Sequence, residues 1–347
     1  MNKYDYIILG GGIAGSLLAW QLHLRKKSFL LIDNEDAHAS SRVAGGMINP
    51  ITGKRLVLTW MAEKLYDFNH RFYPRLEKSL GVPFYRELPL RRVFKNAAQA
   101  NDWLVRCRQA DYRPFILNDG DETGLFGIKT PFGYGAVLGA AVDTVPLLNA
   151  LHAVLGNSYR KSNIAYDEIK PEKEHIRIGE LACQKLIFCE GWKATANPWF
   201  SYLPFNPCKG DVLKIRADIS QHTGIAAGVF LLPFGDHFRC GSTYIWDELD
   251  CTATEQGLRT MTRQLENILS VPHALLEHKA AVRPTVKDRR PFLGRHPREK
   301  RFYIFNGLGT KGLSLAPWFS RHMADYLLGL GGLMPGVDIK RFPLPSI

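Results

Sequence analysis

Three glycines and an acid early in the sequence have the types and the spacing to bind a dinucleotide. Gly10-x-Gly12-x-x-Gly15 joins an apolar run at residues 4–9 to a helical stretch at residues 16–24, and a second apolar run at residues 28–32 ends on Asp33. Gly10 permits a sharp turn out of a strand, Gly12 lets bare backbone approach a pyrophosphate, and Gly15 lets helix and strand pack closely. The phosphates then lie at a helix N-terminus, where unpaired N–H groups and the helix dipole favour negative charge. Asp33 follows at about the spacing, ~20 residues, that lets a carboxylate accept hydrogen bonds from a ribose. Gly10, Gly12, Ile13, Ala14, Gly15, Asp33 and the adjoining Asn34 are therefore the first cofactor-binding candidates. This βαβ unit alone leaves open whether the ligand is NAD or FAD.

Further along, Ser40-Ser41-Arg42-Val43-Ala44-Gly45-Gly46-Met47 combines hydroxyls, a guanidinium and backbone without side chains. Such a segment suits a path under phosphates and then past a flat ring, and reads equally as a surface loop. The apolar run at residues 186–189 ends in Glu190-Gly191-Trp192, either a second approach to the dinucleotide or a strand-terminal turn. Near the other end stand Arg283-Pro284 and, after a strand at residues 302–305, the loop Asn306-Gly307-Leu308-Gly309-Thr310-Lys311-Gly312-Leu313. This loop is not a phosphate-binding P-loop, in which Lys follows the final Gly; here Lys311 precedes Gly312. A strand, a glycine loop and a helix start suit a spot where backbone N–H groups meet developing negative charge.

The elements that position these groups follow from periodicity and breakers. Residues 56–80 read as a helix with Leu65, Phe68, Phe72 and Leu76 as its core stripe, ended by Gly81-Val82-Pro83. Strand-like pieces at residues 84–94, a helix at 101–107 and turns and strands at 124–138 form a more aromatic, less regular region. Asp143 caps a helix with Leu147, Leu148 and Leu151 on its apolar face. Residues 208–244 alternate as strands, with Gly235-Asp236 as a hairpin turn, and residues 254–270 are helical.

With 347 residues, 46% of them hydrophobic, the chain supports two modest domains or one large one. Residues 7–22 imitate a signal-peptide core, but they contain the glycine fingerprint and no cleavage site follows. They are also shorter than the ~18 apolar residues of a membrane span, so a cytoplasmic protein without a span is expected. Six cysteines without a Cys-x-x-Cys pair and eleven scattered histidines predict neither a disulfide framework nor a metal site. The net charge of +12, concentrated at Lys287, Arg289, Arg290, Arg295, Arg298, Lys300 and Arg301, attracts an anionic cofactor, an acidic substrate or nucleic acid, or is a solvated basic face. No DNA- or RNA-reading module is visible.

With both ends in view, the sequence resembles the D-amino-acid oxidase and glycine oxidase family of FAD-dependent oxidoreductases. The resemblance rests on the Gly10 to Asp33 unit, Ser40-Ser41-Arg42 into Ala44-Gly45-Gly46, Glu190-Gly191-Trp192, Gly241-Ser242-Thr243, Arg283-Pro284 with Asp288, Pro291 and Gly294, and residues 307–317. It implies an α/β fold: a glutathione-reductase-like, Rossmann-type FAD-binding domain from residues 1–80, 140–205 and 280–347. Interleaved with it is an α+β substrate domain, on a mainly antiparallel sheet, from residues 81–139 and 206–279. It implies non-covalent FAD, with Ser41 and Arg42 near the phosphates, Ala44 to Met47 near flavin N5, Gly191 at the dinucleotide, and Gly307, Gly309, Thr310, Lys311, Gly312 and Leu313 at the pyrimidine end.

The resemblance also gives Arg283 the role of holding a substrate carboxylate. Lys311 with the following helix start would stabilise charge on the reduced ring. Where relatives carry a tyrosine over the substrate this chain has Phe230, with Tyr244 or Trp246 as compensating candidates. The implied reaction is oxidation of a carbon–nitrogen bond in an amine or amino acid bearing a carboxylate. Lys209-Gly210-Asp211, residues 307–313 and Ala316-Pro317 are similar to the oxidoreductase domain of the bifunctional bacterial enzyme that matures carboxymethylaminomethyl-uridine in tRNA, so a tRNA side-chain substrate is the alternative. A 2-hydroxy-acid dehydrogenase and a non-catalytic FAD-binding protein are the others.

Overall fold

The computed structural model describes residues 2–117 and 125–344, and the chain divides into two compact units. The first comprises Met1–Arg42, Val145–Cys208 and Val282–Ile347; the second comprises Val43–Thr144 and Lys209–Ala281.

The first unit is built on an eight-stranded sheet. Strand β1 (Asn2–Leu9) leads through a glycine turn into helix α1 (Ile13–Leu24) and back through strand β2 (Phe29–Asp33). β1 pairs in parallel with β2 on one side and with Leu181–Phe188 on the other. The outer edge of Leu181–Phe188 is shared: its start takes the antiparallel Ile176–Ile178, and its end takes the parallel Phe302–Asn306. Ile7, Leu9, Leu30, Ile32, Phe188, Phe302 and Ile304 fill the core on one face of this sheet. Fully burying each such side chain contributes roughly 1.5–3 kcal/mol. α1 packs against the helix Gly312–Leu327 and is buried at all its positions from Ile13 to Leu22, as a helix between two layers must be.

The second unit carries another eight-stranded sheet, mainly antiparallel, in which Gly224–Ala226 lies parallel to Leu90–Val93. The helix Glu255–Ile268 covers one face, setting Met261, Leu265 and Ile268 among Leu213, Ile215 and Phe238. Thr254 caps it by accepting from the amide of Gly257. A smaller three-stranded sheet joins Met47–Ile48, Ala140–Val142 and Tyr85–Glu87.

Three details differ from the sequence reading. The helix expected over residues 56–80 spans Ala62–Leu80, because Val57–Leu58 pairs with Ile51–Thr52 in a short hairpin and Met61 holds a left-handed φ of 54°. Its buried stripe is Ala62, Leu65, Asn69, Tyr73 and Leu76; Phe68 and Phe72 stack on each other at 5.7 Å and stay partly exposed. Residues 43–80 belong to the second unit rather than the first. Met47–Ile48 pairs with Ala140–Val142, and Ile51, Leu56 and Ala62 share a core with Leu88, Leu90 and Phe94. Gly124, where turns and strands were expected to resume, lies outside the described residues.

Among the described residues no helix is long and apolar enough to cross a membrane, and no group of three or more His, Cys, Asp or Glu could hold a metal ion.

Candidate functional site

The glycine turn of the first unit is shaped by close backbone approaches. Gly10 has φ 103°, and a Cβ there would overlap the carbonyl of Cys189, while one on Gly15 would overlap the carbonyl of Gly10. Gly12 stands at the N-cap of α1 and offers no side-chain cap, and the first turn of the helix has no acidic residue. The positive end of α1 thus carries no acidic side chain of its own, the condition under which a helix start receives an anion. Ser41 reaches the same spot, its Oγ accepting from the amide of Ile13 at 3.0 Å. Asp33 closes the turn: Oδ2 accepts from the amide of Gly11 at 2.5 Å and Oδ1 from the amide of Glu35 at 2.7 Å. Each oxygen keeps lone-pair capacity beyond its backbone bond, so the carboxylate can still accept from a ribose. Asn34 accepts from the amide of Asp36 at 3.3 Å, and Arg42 donates to Asn149 at 3.2 Å.

Two further segments of the same unit meet this turn, and a third is fastened to one of them. Gly191, at φ 60°, follows the strand Leu181–Phe188, and its carbonyl accepts from Asn306 Nδ2 at 2.9 Å. Asn306 then accepts from the amide of Gly307 at 2.8 Å, so the strand-terminal turn and the glycine loop are tied together. Beside Gly191 sits Glu190. Burial pushes its carboxyl up to about 6, against the opposing hydrogen bonds from Asn197 and Tyr166.

Beyond Gly307, at φ 74°, and Gly309, at φ 54°, the loop enters Gly312–Leu327, whose N-cap residue Lys311 provides no side-chain cap. Thr310 is exposed, and Leu313 is buried. A Cβ on Gly312 would stand 3.3 Å from Ile13, the first residue of α1, which sets the two helix starts side by side. The amide of Gly309 donates to the carbonyl of Pro284 at 3.2 Å and so fastens the Arg283 segment to the glycine loop. Arg283, partly exposed at the end of the strand His273–Arg283, also reaches Cys208 Sγ at 3.9 Å.

The remaining candidates lie on the second unit. A Cβ on Gly45 would overlap the ring tip of Phe230, and one on Gly241 would come within 2.6 Å of it, so Phe230 packs on two glycines. Gly46, at φ 94°, is confined by the Val142 carbonyl, which a Cβ would meet at 2.5 Å, and its own carbonyl accepts from the amide of Val142 at 2.8 Å. Ala44 and Met47 flank this pair, with Met47 opposite Ala141. Tyr244 and Trp246 are 59% and 51% exposed. The loop they lead into is held by Lys209, whose fully buried side chain places Nζ 2.7 Å from Asp250 and 3.5 Å from Glu248. Sequence reasoning noted Lys209 as part of a motif without seeing this anchoring.

The first unit therefore gathers Gly10, Gly12, Ile13, Ala14, Gly15, Asp33, Ser41, Gly191, the loop of residues 307–313 and Arg283 through direct contacts, shared turns or neighbouring elements. A helix start without acidic side chains, glycines whose Cβ positions are already occupied, and an acid at the second strand suit an adenine dinucleotide diphosphate.

Comparison with known proteins agrees with that geometry. The chain is 24% identical to the glycine oxidase of Pseudomonas putida, over 95% of its own length and 95% of that protein. It is 24% identical to the tRNA 5-methylaminomethyl-2-thiouridine biosynthesis bifunctional protein MnmC of Hahella chejuensis, over 94% of its own length but 57% of that longer protein. The crystal structure of glycine oxidase from Geobacillus kaustophilus shares the fold, with a TM-score of 0.82 at 18% identity over 100% of both chains. The model of the DAO family, FAD dependent oxidoreductase, matches residues 5–326, and the chain belongs to that family.

Proposed function

We propose that this protein oxidises a carbon–nitrogen single bond in a small amine or amino acid that carries a carboxylate. The observation that carries the reading is the bond from the Gly309 amide to the Pro284 carbonyl. It holds a guanidinium, Arg283, on the same loop system that ends at Lys311 and the start of Gly312–Leu327. Bound FAD supplies the acceptor for the hydride that leaves the substrate carbon.

The chain supplies the rest. The glycine turn and α1 hold the diphosphate, and Asp33 takes the ribose. Arg283 grips the carboxylate in a bidentate pair, a planar recognition that a lysine would not reproduce, and so fixes which carbon is presented. Lys311 and the amides of the helix start donate toward negative charge where it develops. An amine that enters neutral needs no side-chain base. The nitrogen loses its proton to solvent, and water hydrolyses the released imine. This reading takes FAD as non-covalently held and the enzyme as cytoplasmic.

Anaerobic mixing of the purified yellow protein with a panel of primary and secondary amines tests the proposal, with bleaching of the flavin by a carboxylate-bearing amine as the expected result. Reduction by a 2-hydroxy acid with none by amines makes the protein a hydroxy-acid dehydrogenase instead. Reduction by neither, in a protein that photoreduces normally, makes it a non-catalytic FAD-binding protein.

A second reading rests on the MnmC relative and on the basic residues between Lys287 and Arg301: the same chemistry on a side chain presented by tRNA. Filter binding should then be tight at low salt and fall steeply as salt rises. No tRNA retention at low salt removes it.

A further inference from the structure

We propose that His152 is a positioning residue for cofactor binding: with Ser16 it grips the carbonyl of Gly11 from behind and fixes the glycine turn in the form that receives the diphosphate. The inference rests on the reading that this turn holds FAD. Ser16 and His152 are buried and stand outside the glycine fingerprint itself. Ser16 Oγ donates to the Gly11 carbonyl at 2.8 Å, and His152 Nε2 lies 2.9 Å from Ser16 Oγ and 3.2 Å from the same carbonyl.

With the hydroxyl proton committed to Gly11, the imidazole must carry its hydrogen on Nε2 and donate to both oxygens. Burial keeps the ring toward its neutral form. A Cβ on Gly11 would come within 2.8 Å of Asp33 and 3.1 Å of His152, so Gly11 is wedged between the acid that takes its amide and the imidazole that takes its carbonyl. Both backbone polar groups of Gly11 are thereby directed, and the neighbouring amide of Gly12 is left to meet an anion, beside the Ile13 amide that Ser41 takes.

The imidazole is itself held. It stacks on Tyr159 at 4.2 Å with the planes 15° apart. The Tyr159 hydroxyl donates to Glu35 at 3.0 Å, and Lys161 pairs with the other oxygen of Glu35 at 2.8 Å. Glu35 in turn donates its amide to Asp33, closing a ring of contacts behind the ribose-binding acid.

Flavin-free protein provides the test, by titration with FAD and separately with ADP, which carries the diphosphate without the flavin. His152→Phe keeps the stacking on Tyr159 and removes the donor, leaving the Gly11 carbonyl to Ser16 alone; it should bind both ligands roughly 2- to 10-fold more weakly, the scale of one lost hydrogen bond. His152→Gln, which restores an N–H donor, should recover most of the loss. The melting temperature of each ligand-free variant is read in parallel, and binding is measured well below it. Ser16→Ala gives the same comparison should the His152→Phe chain not fold.

Wild-type affinity for FAD and ADP in both His152→Phe and Ser16→Ala overturns the proposal. So does weakened FAD binding with ADP binding unchanged. A wild-type protein that binds neither ligand overturns the FAD reading, and this inference with it.

Discussion

Phe230 occupies the space in which Gly45 would carry a side chain, and the same ring tip lies against Gly241, its cross-strand partner. The ring that stands where relatives carry a tyrosine packs against the glycine segment. Gly45→Ala should destabilise the protein by about 1–3 kcal/mol through overpacking. Phe230→Ala should relieve that cost in the double variant, with a coupling of roughly 0.5–3 kcal/mol. Urea denaturation of the two single variants and the double variant measures it, and simple additivity would show that the two residues do not share the space.

Gly15→Ala should yield a protein without flavin. Its Cβ would overlap the Gly10 carbonyl, a backbone atom that cannot rotate away, so the turn and α1 must separate. The absorbance spectrum after purification reports it. A yellow Gly15→Ala protein with normal cofactor content would mean that the turn does not hold the dinucleotide.

Glu190 should give the stability profile an unusual slope. Burial raises its carboxyl from an ordinary value of 4.5 to about 6, so in that window the folded chain binds more protons than the unfolded one. The contribution of this group to stability is therefore full below pH 4.5 and is lost as pH climbs through about 6. A shift of this size corresponds to on the order of 2 kcal/mol. Glu190→Gln should flatten the difference between pH 4.5 and 7 in urea denaturation, while an unchanged slope would place the titration elsewhere.

Arg283→Ala should weaken binding of a carboxylate inhibitor by about 2–5 kcal/mol, the range for removing one partner of a buried charge pair. Arg283→Lys should recover only part of it, because an ammonium offers no planar fork. The inhibitor's perturbation of the flavin spectrum gives the affinities. Equal affinity in wild type and Arg283→Ala would assign the arginine a structural role.

Much of the first unit was legible from the sequence because its signals are local. A turn that needs glycines for close backbone approach, framed by apolar runs buried on both faces, identifies β1, α1 and β2 without reference to anything distant. The division at residue 42 was not legible. Met47–Ile48 is two residues long and gains its place from Ala140–Val142, far along the chain, while the hairpin before Ala62 looks apolar enough to extend the helix.

The helix stripe failed for a related reason. Asn69 and Tyr73 are buried and Phe68 and Phe72 pair near the surface, a choice made by neighbours rather than by hydropathy. His152 carried no signal, being one histidine in an apolar helix whose partner Gly11 lies 141 residues away.

The strand Leu181–Phe188 obtains the second half of its outer edge only from Phe302–Asn306. During translation the nucleotide fingerprint therefore leaves the ribosome long before the sheet that supports it can be finished. At roughly 5–20 residues per second the delay is on the order of 15 to 60 s. Once Leu181–Phe188 has emerged and paired with β1, its outer edge at Leu186–Phe188 stays unpaired until Phe302–Asn306 follows, so chaperone engagement and late cofactor capture follow from the order in which the strands are made.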